Sequence, residues 1–181
     1  MASANGHSLI IKQIAEEMLP QVYVELGICG GVTFNAVLPS IREVAYACDI
    51  GQGVGRVIDS KHPKVKIFDN RSSMEFSRIW NESIKREIDL IFIDADHSRD
   101  AVILDAINFY PWLKEDSGLM VLHDTWPPDK LYTSKDRCGD CYRSVSILKK
   151  KLNGAEILTI PVQYGLTLIR KVGKDWRNFD E

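Results

Sequence analysis

The stretch Glu25-Leu26-Gly27-Ile28-Cys29-Gly30-Gly31 decides the fold of this chain. An apolar run, Val22-Tyr23-Val24, precedes it, and residues 32–38 follow it with apolar side chains at helical spacing. That order predicts a strand, a tight glycine turn and a helix. Glycine is needed where a strand reverses into a helix and where a ligand approaches the backbone more closely than a Cβ allows. The segment therefore predicts a site for a nucleotide-type cofactor.

Glu25, two residues before the first glycine, distinguishes between cofactors. A dinucleotide site has glycines at G-x-G-x-x-G and holds a pyrophosphate at a helix N-terminus, whereas a carboxylate suits a cation. The segment resembles the first motif of class I S-adenosylmethionine (SAM)-dependent methyltransferases, E-x-G-x-G-x-G, in which the acid lies near the positively charged methionine end of the cofactor. The resemblance implies that Glu25, Gly27, Gly30 and Gly31 contact SAM, with Cys29 at the middle glycine position. The alternative is a plain strand-to-helix turn of a parallel sheet.

The composition is that of an ordinary globular protein. With 181 residues, of which 45% are hydrophobic and 27% charged, residues 1–181 suit a single domain with a substantial core. A formal net charge of −2 and a pI near 6.1 give no bulk attraction to nucleic acid or to an acidic membrane. No apolar run approaches the ~18 residues of a membrane span, and the N-terminus lacks the features of a signal peptide. We therefore expect a cytoplasmic protein that binds neither nucleic acid nor membrane.

Strand-like and helix-like segments alternate along most of the chain. Strands are predicted after Pro20 and at residues 43–48, 65–68, 88–93 and 119–122, with helices between them, which favours a doubly wound parallel sheet. Two further runs, residues 156–160 and 165–171, are so close in sequence that they must pair antiparallel. The predicted fold is an α/β, Rossmann-like sheet of seven strands with an antiparallel C-terminal hairpin. Class I methyltransferases carry such a hairpin, and a standard dinucleotide domain does not.

Polar residues at the predicted strand ends suggest the nucleoside contacts, because ligands of open α/β sheets collect at the carboxyl ends of the strands. Asp49 ends the second strand, eighteen residues beyond Gly31. An acid there accepts both ribose hydroxyl hydrogens of SAM or of NAD. Ser72 and Ser73 follow the third strand, where they either bond the adenine edge or cap the next helix.

A cluster of ionisable residues follows the fourth and fifth strands: Asp94, Asp96, His97, His123 and Asp124. Such a cluster needs protons or a metal to offset repulsion and desolvation. A divalent cation on Asp94, His123 and Asp124 would supply that charge. Mg²⁺ favours oxygen ligands, so His123 points to Mn²⁺ or another transition ion. In the alternative, His123 points away from the cluster.

The segments around this cluster narrow the resemblance. Residues 92–98, 110–114 and 117–125 resemble the family-twenty-four, sugar O-methyltransferase-like branch of the class I methyltransferases, and the similarity covers residues 21–171. It implies transfer of a methyl group from SAM to a hydroxyl of a small molecule or sugar, with Mg²⁺ or Mn²⁺ on Asp94, His123 and Asp124. His123-Asp124 stands where relatives have Asp-Asn or Glu-Asp. A homodimer is compatible with the resemblance.

His97 is the candidate general base, and Asp94 is the second predicted catalytic residue as well as a cofactor contact. An imidazole has the near-neutral pKa suited to removing a hydroxyl proton. Because the sulfonium of SAM is an activated donor, catalysis requires only positioning and proton removal. In the alternative, His97 caps the next helix or hydrogen-bonds within the cluster.

The long segment of residues 126–143 is predicted to be a substrate lid, with Trp126, Tyr132 and Arg137 as contacts. Its Cys138-x-x-Cys141 pair is compatible with zinc or redox chemistry, but a single pair favours neither. Two other functions remain open. One is a non-catalytic SAM- or nucleoside-binding module, because the chain has no separate substrate domain. The other is an NAD(P)-linked oxidoreductase, against which Glu25 and the terminal hairpin argue.

Overall fold

A computed structural model describes residues 6–173 of the chain. Its strands are β1 (Val22–Leu26), β2 (Val44–Asp49), β3 (Val65–Asp69), β4 (Leu90–Ile93), β5 (Leu119–Leu122), β6 (Ala155–Ile160) and β7 (Leu166–Lys171). Its α-helices are α1 (Gly6–Met18), α2 (Val32–Val37), α3 (Ser73–Ile79), α4 (Arg99–Phe109) and α5 (Ser144–Lys151). The strands form one seven-stranded sheet in the order β3-β2-β1-β4-β5-β7-β6. The first five strands are parallel, and β7 is antiparallel to β5 and β6. This confirms the predicted fold class.

The sheet is covered on both faces by separate apolar layers. One layer contains Trp80 and Phe109 together with Val24 of β1, and the other contains Ile11 and Phe34 together with Tyr23. Every residue of β1 and β4 is buried, which explains why these strands are almost continuously apolar in sequence. No helix within residues 6–173 combines the length and the apolarity needed to cross a membrane.

Serine side chains begin two of the helices. Ser72 starts α3 with a capping box, in which its Oγ accepts from the Glu75 amide at 3.2 Å and its own amide donates to the Glu75 carboxylate at 2.9 Å. Ser98 starts α4 by accepting from the Ala101 amide at 3.4 Å. These bonds satisfy amides that have no partner inside the helix. Capping, one of the two roles considered for Ser72 and Ser73, is thus the role of Ser72, and Ser98 caps α4 in the same way.

Three predicted helical segments depart from regular α-helix over at least one turn. The helix expected after β2 is a single 3₁₀ turn, Val54–Arg56. The end of the α3 segment, Trp80–Ile84, is a π-helical turn that stops at Lys85, whose φ is 50°. The helix before β6 is preceded by a 3₁₀ turn at Cys141–Arg143. Apolar spacing reports which face is buried, and it does not distinguish one helical hydrogen-bond pattern from another over a single turn.

The carboxyl ends of the central strands lie level with one another. The paired residues that end β1, β4 and β5 are Leu26, Ile93 and Leu122. The residues that follow them, Gly27, Asp94 and His123, therefore stand side by side. The chain leaves β1 towards β2 and β3 and returns on the other side as β4, so this edge is the switch point at which open α/β sheets bind ligands.

Candidate active site

The glycine loop after β1 is held by close backbone contacts. Gly27 has a φ of 86°, and a Cβ there would lie 2.1 Å from the carbonyl oxygen of Asp94. Gly31 has a φ of 70°, and its Cβ would lie 2.7 Å from the carbonyl oxygen of Val57. At Gly30, by contrast, an added Cβ would meet no atom within 4 Å. Cys29 adopts a φ of 47°, a left-handed conformation that glycine favours, so the loop keeps its shape with cysteine at the middle position.

Asp49 ties this loop to the end of β2. Its Oδ2 accepts from the amides of Ile28 at 2.7 Å and Cys29 at 3.2 Å, and its Oδ1 accepts from the amide of Gly51 at 2.6 Å. A carboxylate accepts about four hydrogen bonds, so Asp49 can receive a further donor from the adjoining cavity.

That cavity, here called the nucleoside cavity, has a volume of about 660 Å³. The predicted residues that line it are Gly27, Asp49, Ser72, Ser73 and Asp94, together with Cys29 of the loop. The predicted contacts Glu25, Gly30 and Gly31 are not among its lining residues. Five of the eight predicted cofactor residues are therefore brought together around one space of nucleoside size.

Glu25 lies beneath the loop. It is 1% exposed, and the hydroxyl of Tyr23 donates to its carboxyl group. Burial raises the pKa of Glu25 to about 8, and the negative charge of Asp94 acts in the same direction. The side chain is therefore mostly protonated at neutral pH, which differs from the charged role that its place in the motif implies.

A second cavity, of about 430 Å³, adjoins the first. We call it the acceptor-side cavity, and it is lined by Asp94, His97, His123, Asp124, Tyr132, Arg137, Cys138 and Tyr164. Asp94 and His97 line both cavities. Molecules bound in the two spaces would therefore meet at these two residues.

The three predicted metal ligands converge at the boundary. His123 Nδ1 lies 3.0 Å from Asp94 Oδ1 and 3.3 Å from Asp124 Oδ1, and one ligand atom from each of the three residues lies within 4.8 Å of the others. His123 Nε2 lies 2.9 Å from the carbonyl oxygen of Gln163. Because a carbonyl only accepts, Nε2 carries a hydrogen, and in a neutral ring the Nδ1 lone pair faces both carboxylates. This donor set, with a carbonyl orienting the imidazole, fits a divalent cation.

Mutual charge holds the cluster together in this arrangement. Burial alone would raise the pKa of Asp94, but hydrogen bonds from His123 and His97 outweigh it and lower that pKa well below its usual range. Burial likewise opposes the charged form of His123, but Asp94 and Asp124 together raise its pKa. The negative charge of the carboxylates therefore favours the charged form of the imidazoles, and the imidazoles favour the ionised form of Asp94.

His97 lies in the site as predicted. Its Nε2 is 3.4 Å from Asp94 Oδ1, and its Nδ1 is 3.3 Å from Asp124 Oδ2 and contacts the carbonyl oxygen of Arg137. The hydrogen bond to Asp94 raises the pKa of His97 to about 9, so the ring is charged at neutral pH rather than near its midpoint. The carboxylate of Asp96, another member of the cluster, accepts from the Ser98 amide at 2.8 Å.

The lid segment contributes two of its three predicted contacts. Tyr132 and Arg137 line the acceptor-side cavity, whereas Trp126 is 58% exposed and lines a different cavity. Cys138 and Cys141 are free thiols. The Cys141 thiol donates to the carbonyl oxygen of Asp124 at 3.0 Å, so it fastens the lid to the end of β5.

Three residues of the site lie outside every motif of the sequence. The ring of His7 lies 4.2 Å from that of His123, and Gln163 and Tyr164 belong to the turn between β6 and β7. That turn has consecutive left-handed residues, with φ of 50° at Gln163 and 67° at Tyr164, which no sequence pattern indicated. Gln163 and Tyr164 could have been located from the topology of the sheet. Because β7 runs antiparallel to β5, the turn that precedes β7 must lie beside the carboxyl end of β5.

Comparisons with known proteins agree with this architecture. The methyltransferase PaMTH1 of Podospora anserina, solved with SAH, is 17% identical with a TM-score of 0.74 over 93% of this chain and 79% of that chain. The O-methyltransferase TomG of Streptomyces achromogenes, involved in tomaymycin synthesis and solved with SAM, is 14% identical with a TM-score of 0.72 over 95% and 82%. An O-methyltransferase of Bacillus cereus, solved with SAH, is 12% identical with a TM-score of 0.71 over 92% and 81%.

These likenesses establish that the chain has the class I methyltransferase fold. No curated protein matches it significantly by sequence. A family described as a methyltransferase domain matches residues 24–125. That segment covers more than half of the chain and contains the glycine loop, Asp49, Asp94 and His123-Asp124. The chain therefore belongs to this family of methyltransferase domains.

Proposed function

We propose that the protein is a SAM-dependent O-methyltransferase that acts on a hydroxyl group of a small molecule or sugar. The observation that carries the proposal is the meeting of two cavities at Asp94 and His97. One has the polar groups that a nucleoside needs, and the other has the titratable groups that a hydroxyl needs. Family membership and the O-methyltransferase neighbours support it.

In the proposed complex, the nucleoside of SAM lies beside Asp49, Ser72 and Ser73. Asp49 accepts a ribose hydroxyl hydrogen with its remaining lone pair. Asp94 lines both cavities and its pKa is well below its usual range, so its carboxylate, rather than the mostly protonated Glu25, offsets the positive charge of the sulfonium.

We further propose that a divalent cation is held by Asp94, His123 and Asp124. When bound, such an ion would supply positive charge that orients the acceptor hydroxyl and lowers the pKa of its proton. The imidazole nitrogen favours Mn²⁺ or another transition ion over Mg²⁺, which prefers oxygen ligands. The Gln163 carbonyl holds His123 Nε2–H, so that Nδ1 faces the two carboxylates.

The protein's own part in the reaction is to position the acceptor and to take its proton. The acceptor oxygen attacks the methyl carbon, the carbon–sulfur bond breaks with its electron pair passing to sulfur, and the hydroxyl proton passes to Nε2 of neutral His97. The carbonyl of Arg137 supports this role, because it holds Nδ1–H and directs Nε2 towards Asp94.

Calorimetry with SAM and its demethylated product SAH tests the cofactor assignment, and transfer of a labelled methyl group to a panel of hydroxylated compounds tests the reaction. Absence of binding at millimolar ligand would overturn the proposal. Replacing Asp49 with Ala should weaken SAM binding by about tenfold or more. The substitution removes both the hydrogen bonds that hold the loop amides and the acceptor for the ribose hydroxyl. Binding without transfer across the panel would favour a non-catalytic SAM-binding module.

A further inference from the structure

We infer that Arg137 selects an acceptor with a carboxylate group, and that the substrates of this site are small hydroxylated aromatic acids. This inference rests on the proposed O-methyltransferase function and names the acceptor class for the same site. It depends on the surroundings of Arg137, on its lack of an ionic partner in the described part of the chain and on the shape of the cavity.

Arg137 lies at the end of an aromatic stack. Its guanidinium carbon is 4.6 Å from the centre of the Tyr132 ring. That ring also packs against Tyr164, with centroids 5.2 Å apart and an angle of 25° between the rings. All three residues line the acceptor-side cavity. A guanidinium over an aromatic face is attracted to it, so the stack holds this positive charge at the cavity wall.

The backbone of Arg137 is fixed to the proposed base. Its amide donates to the Ser134 carbonyl at 3.0 Å, and its own carbonyl accepts from His97 Nδ1. The turn closes at Gly139, where a Cβ would lie 2.3 Å from the carbonyl oxygen of His97. These contacts fix the backbone of Arg137 beside His97, the residue that would take the acceptor's proton.

The charge of Arg137 has no ionic partner among residues 6–173, whereas Arg86, Arg99 and Arg170 each pair with a carboxylate there. The two carboxylates of the cavity, Asp94 and Asp124, already face the imidazoles of His97 and His123. A guanidinium is always protonated, and its planar donors match a carboxylate in two parallel hydrogen bonds. The guanidinium of Arg137 at this wall of the cavity is thus complementary to an anionic substituent on the acceptor.

The shape of the cavity indicates what carries that substituent. A volume of about 430 Å³ suits a single substituted ring rather than a polymer. The walls formed by Tyr132 and Tyr164 favour contact with a flat aromatic ring. Such an acceptor would place its hydroxyl towards His97 and Asp94 and its carboxylate towards Arg137.

The test uses a matched pair of probes, 3,4-dihydroxybenzoate and its methyl ester. Because only the acid carries a negative charge, the difference in their binding measures the contribution of the carboxylate. Binding to the full chain is measured by calorimetry with and without SAH, and kcat and KM are measured with SAM. We expect the acid to bind at least about tenfold more tightly than the ester. In Arg137→Gln, KM for the acid should rise by about 10–100-fold, and the advantage of the acid over the ester should disappear. Arg137→Lys should restore part of the preference, because it keeps the charge but not the planar donors.

Arg143→Gln is the matched control. Arg143 belongs to the same segment and also lies over a tyrosine, 5.6 Å from the ring centre of Tyr142, but it lines a different cavity. This variant should keep the wild-type preference for the acid. A charge-reversed variant, Arg137→Glu, should instead favour dopamine, which carries the same ring with a cationic substituent.

Equal binding of acid and ester by the wild type, or equal losses in Arg137→Gln and Arg143→Gln, overturns the inference. Failure of the acid to bind at millimolar concentration overturns it as well. These outcomes are distinct from failure of the proposed function, in which SAM and SAH do not bind or no hydroxyl compound is methylated. If the acid binds through Arg137 and is not methylated, the carboxylate site stands and methyl transfer is what fails.

Discussion

His123 Nδ1 lies 3.0 Å from Oδ1 of Asp94, across the neighbouring ends of β5 and β4. The same nitrogen is the ring atom of His123 that can bind a cation, since Nε2 faces the Gln163 carbonyl. The site can therefore exist in two states that share this contact. In one, a proton on Nδ1 bridges the residues, and in the other a cation replaces that proton.

Cation binding should consequently release protons at neutral pH. Asp94 and Asp124 raise the pKa of His123, so a cation that takes Nδ1 competes with a proton for that nitrogen. Titration of Mn²⁺ in buffers of different ionisation enthalpy measures the number released. We expect release of about one proton per ion, tighter binding of Mn²⁺ than of Mg²⁺, and loss of binding in His123→Ala. Binding of Mg²⁺ at equal strength without proton release would contradict the assigned ligand set.

Replacing Gly27 with Ala should destabilise the fold. The new Cβ would lie 2.1 Å from the carbonyl oxygen of Asp94 at a φ of 86°, so both steric overlap and left-handed strain apply. We expect a loss of about 2–4 kcal/mol in the free energy of unfolding by urea. Gly30→Ala is the control, because nothing lies within 4 Å of its Cβ position, and its change should stay within about 0.5 kcal/mol. Similar losses in both variants would argue against the described loop.

Replacing Glu25 with Gln should change how stability depends on pH. The pKa of Glu25 rises from 4.5 to about 8 on folding, chiefly through burial, so the folded state binds the proton more tightly than the unfolded chain. The contribution of this proton to the free energy of unfolding is fully present below pH 4.5 and is lost as pH rises towards 8. Glu25→Gln should therefore match the wild type near pH 4 and exceed it at pH 8 by about 2–4 kcal/mol. Urea unfolding across this range provides the measurement.

The same variant separates the two roles considered for Glu25. If the residue is neutral in the folded protein, SAM affinity of Glu25→Gln at pH 7 should stay within about threefold of the wild type. A loss of affinity beyond tenfold, with unchanged stability profiles, would show that the carboxylate is ionised and acts on the cofactor.

The pH dependence of the reaction should report His97. The pKa of His97 is raised to about 9, first through its hydrogen bond with Asp94, so the neutral base becomes abundant only as pH approaches that value. We expect kcat/KM to increase with pH up to about 9, and the increase to move to lower pH when Mn²⁺ is added, because a cation offsets the carboxylates. In His97→Gln the rate should fall by about 10²–10⁴ and lose this pH dependence. A pH profile shared by both proteins would remove His97 from the reaction.

Local patterns in the sequence determined the architecture. Continuous apolar runs such as that of β4 belong to strands buried on both faces, and two strand-like runs separated only by residues 161–164 can pair only as a hairpin. Each of these patterns spans only a few neighbouring residues, so it can be recognised in the sequence without knowledge of the fold. They also placed Asp49, Asp94, His123 and Asp124 at strand ends, and parallel pairing is enough to bring strand ends to one edge.

What only the tertiary structure decided was the direction and environment of each side chain. Glu25 lies in the motif expected to meet the cofactor, yet it is enclosed with Tyr23 and holds its proton. Gln163 and Tyr164 have no motif, and they enter the site because β7 runs antiparallel beside β5. Protonation and contact across the sheet depend on burial and on neighbours distant in the chain. The sequence by itself thus determined the fold and the edge at which chemistry occurs, and packing decided which residues at that edge are charged and what they face.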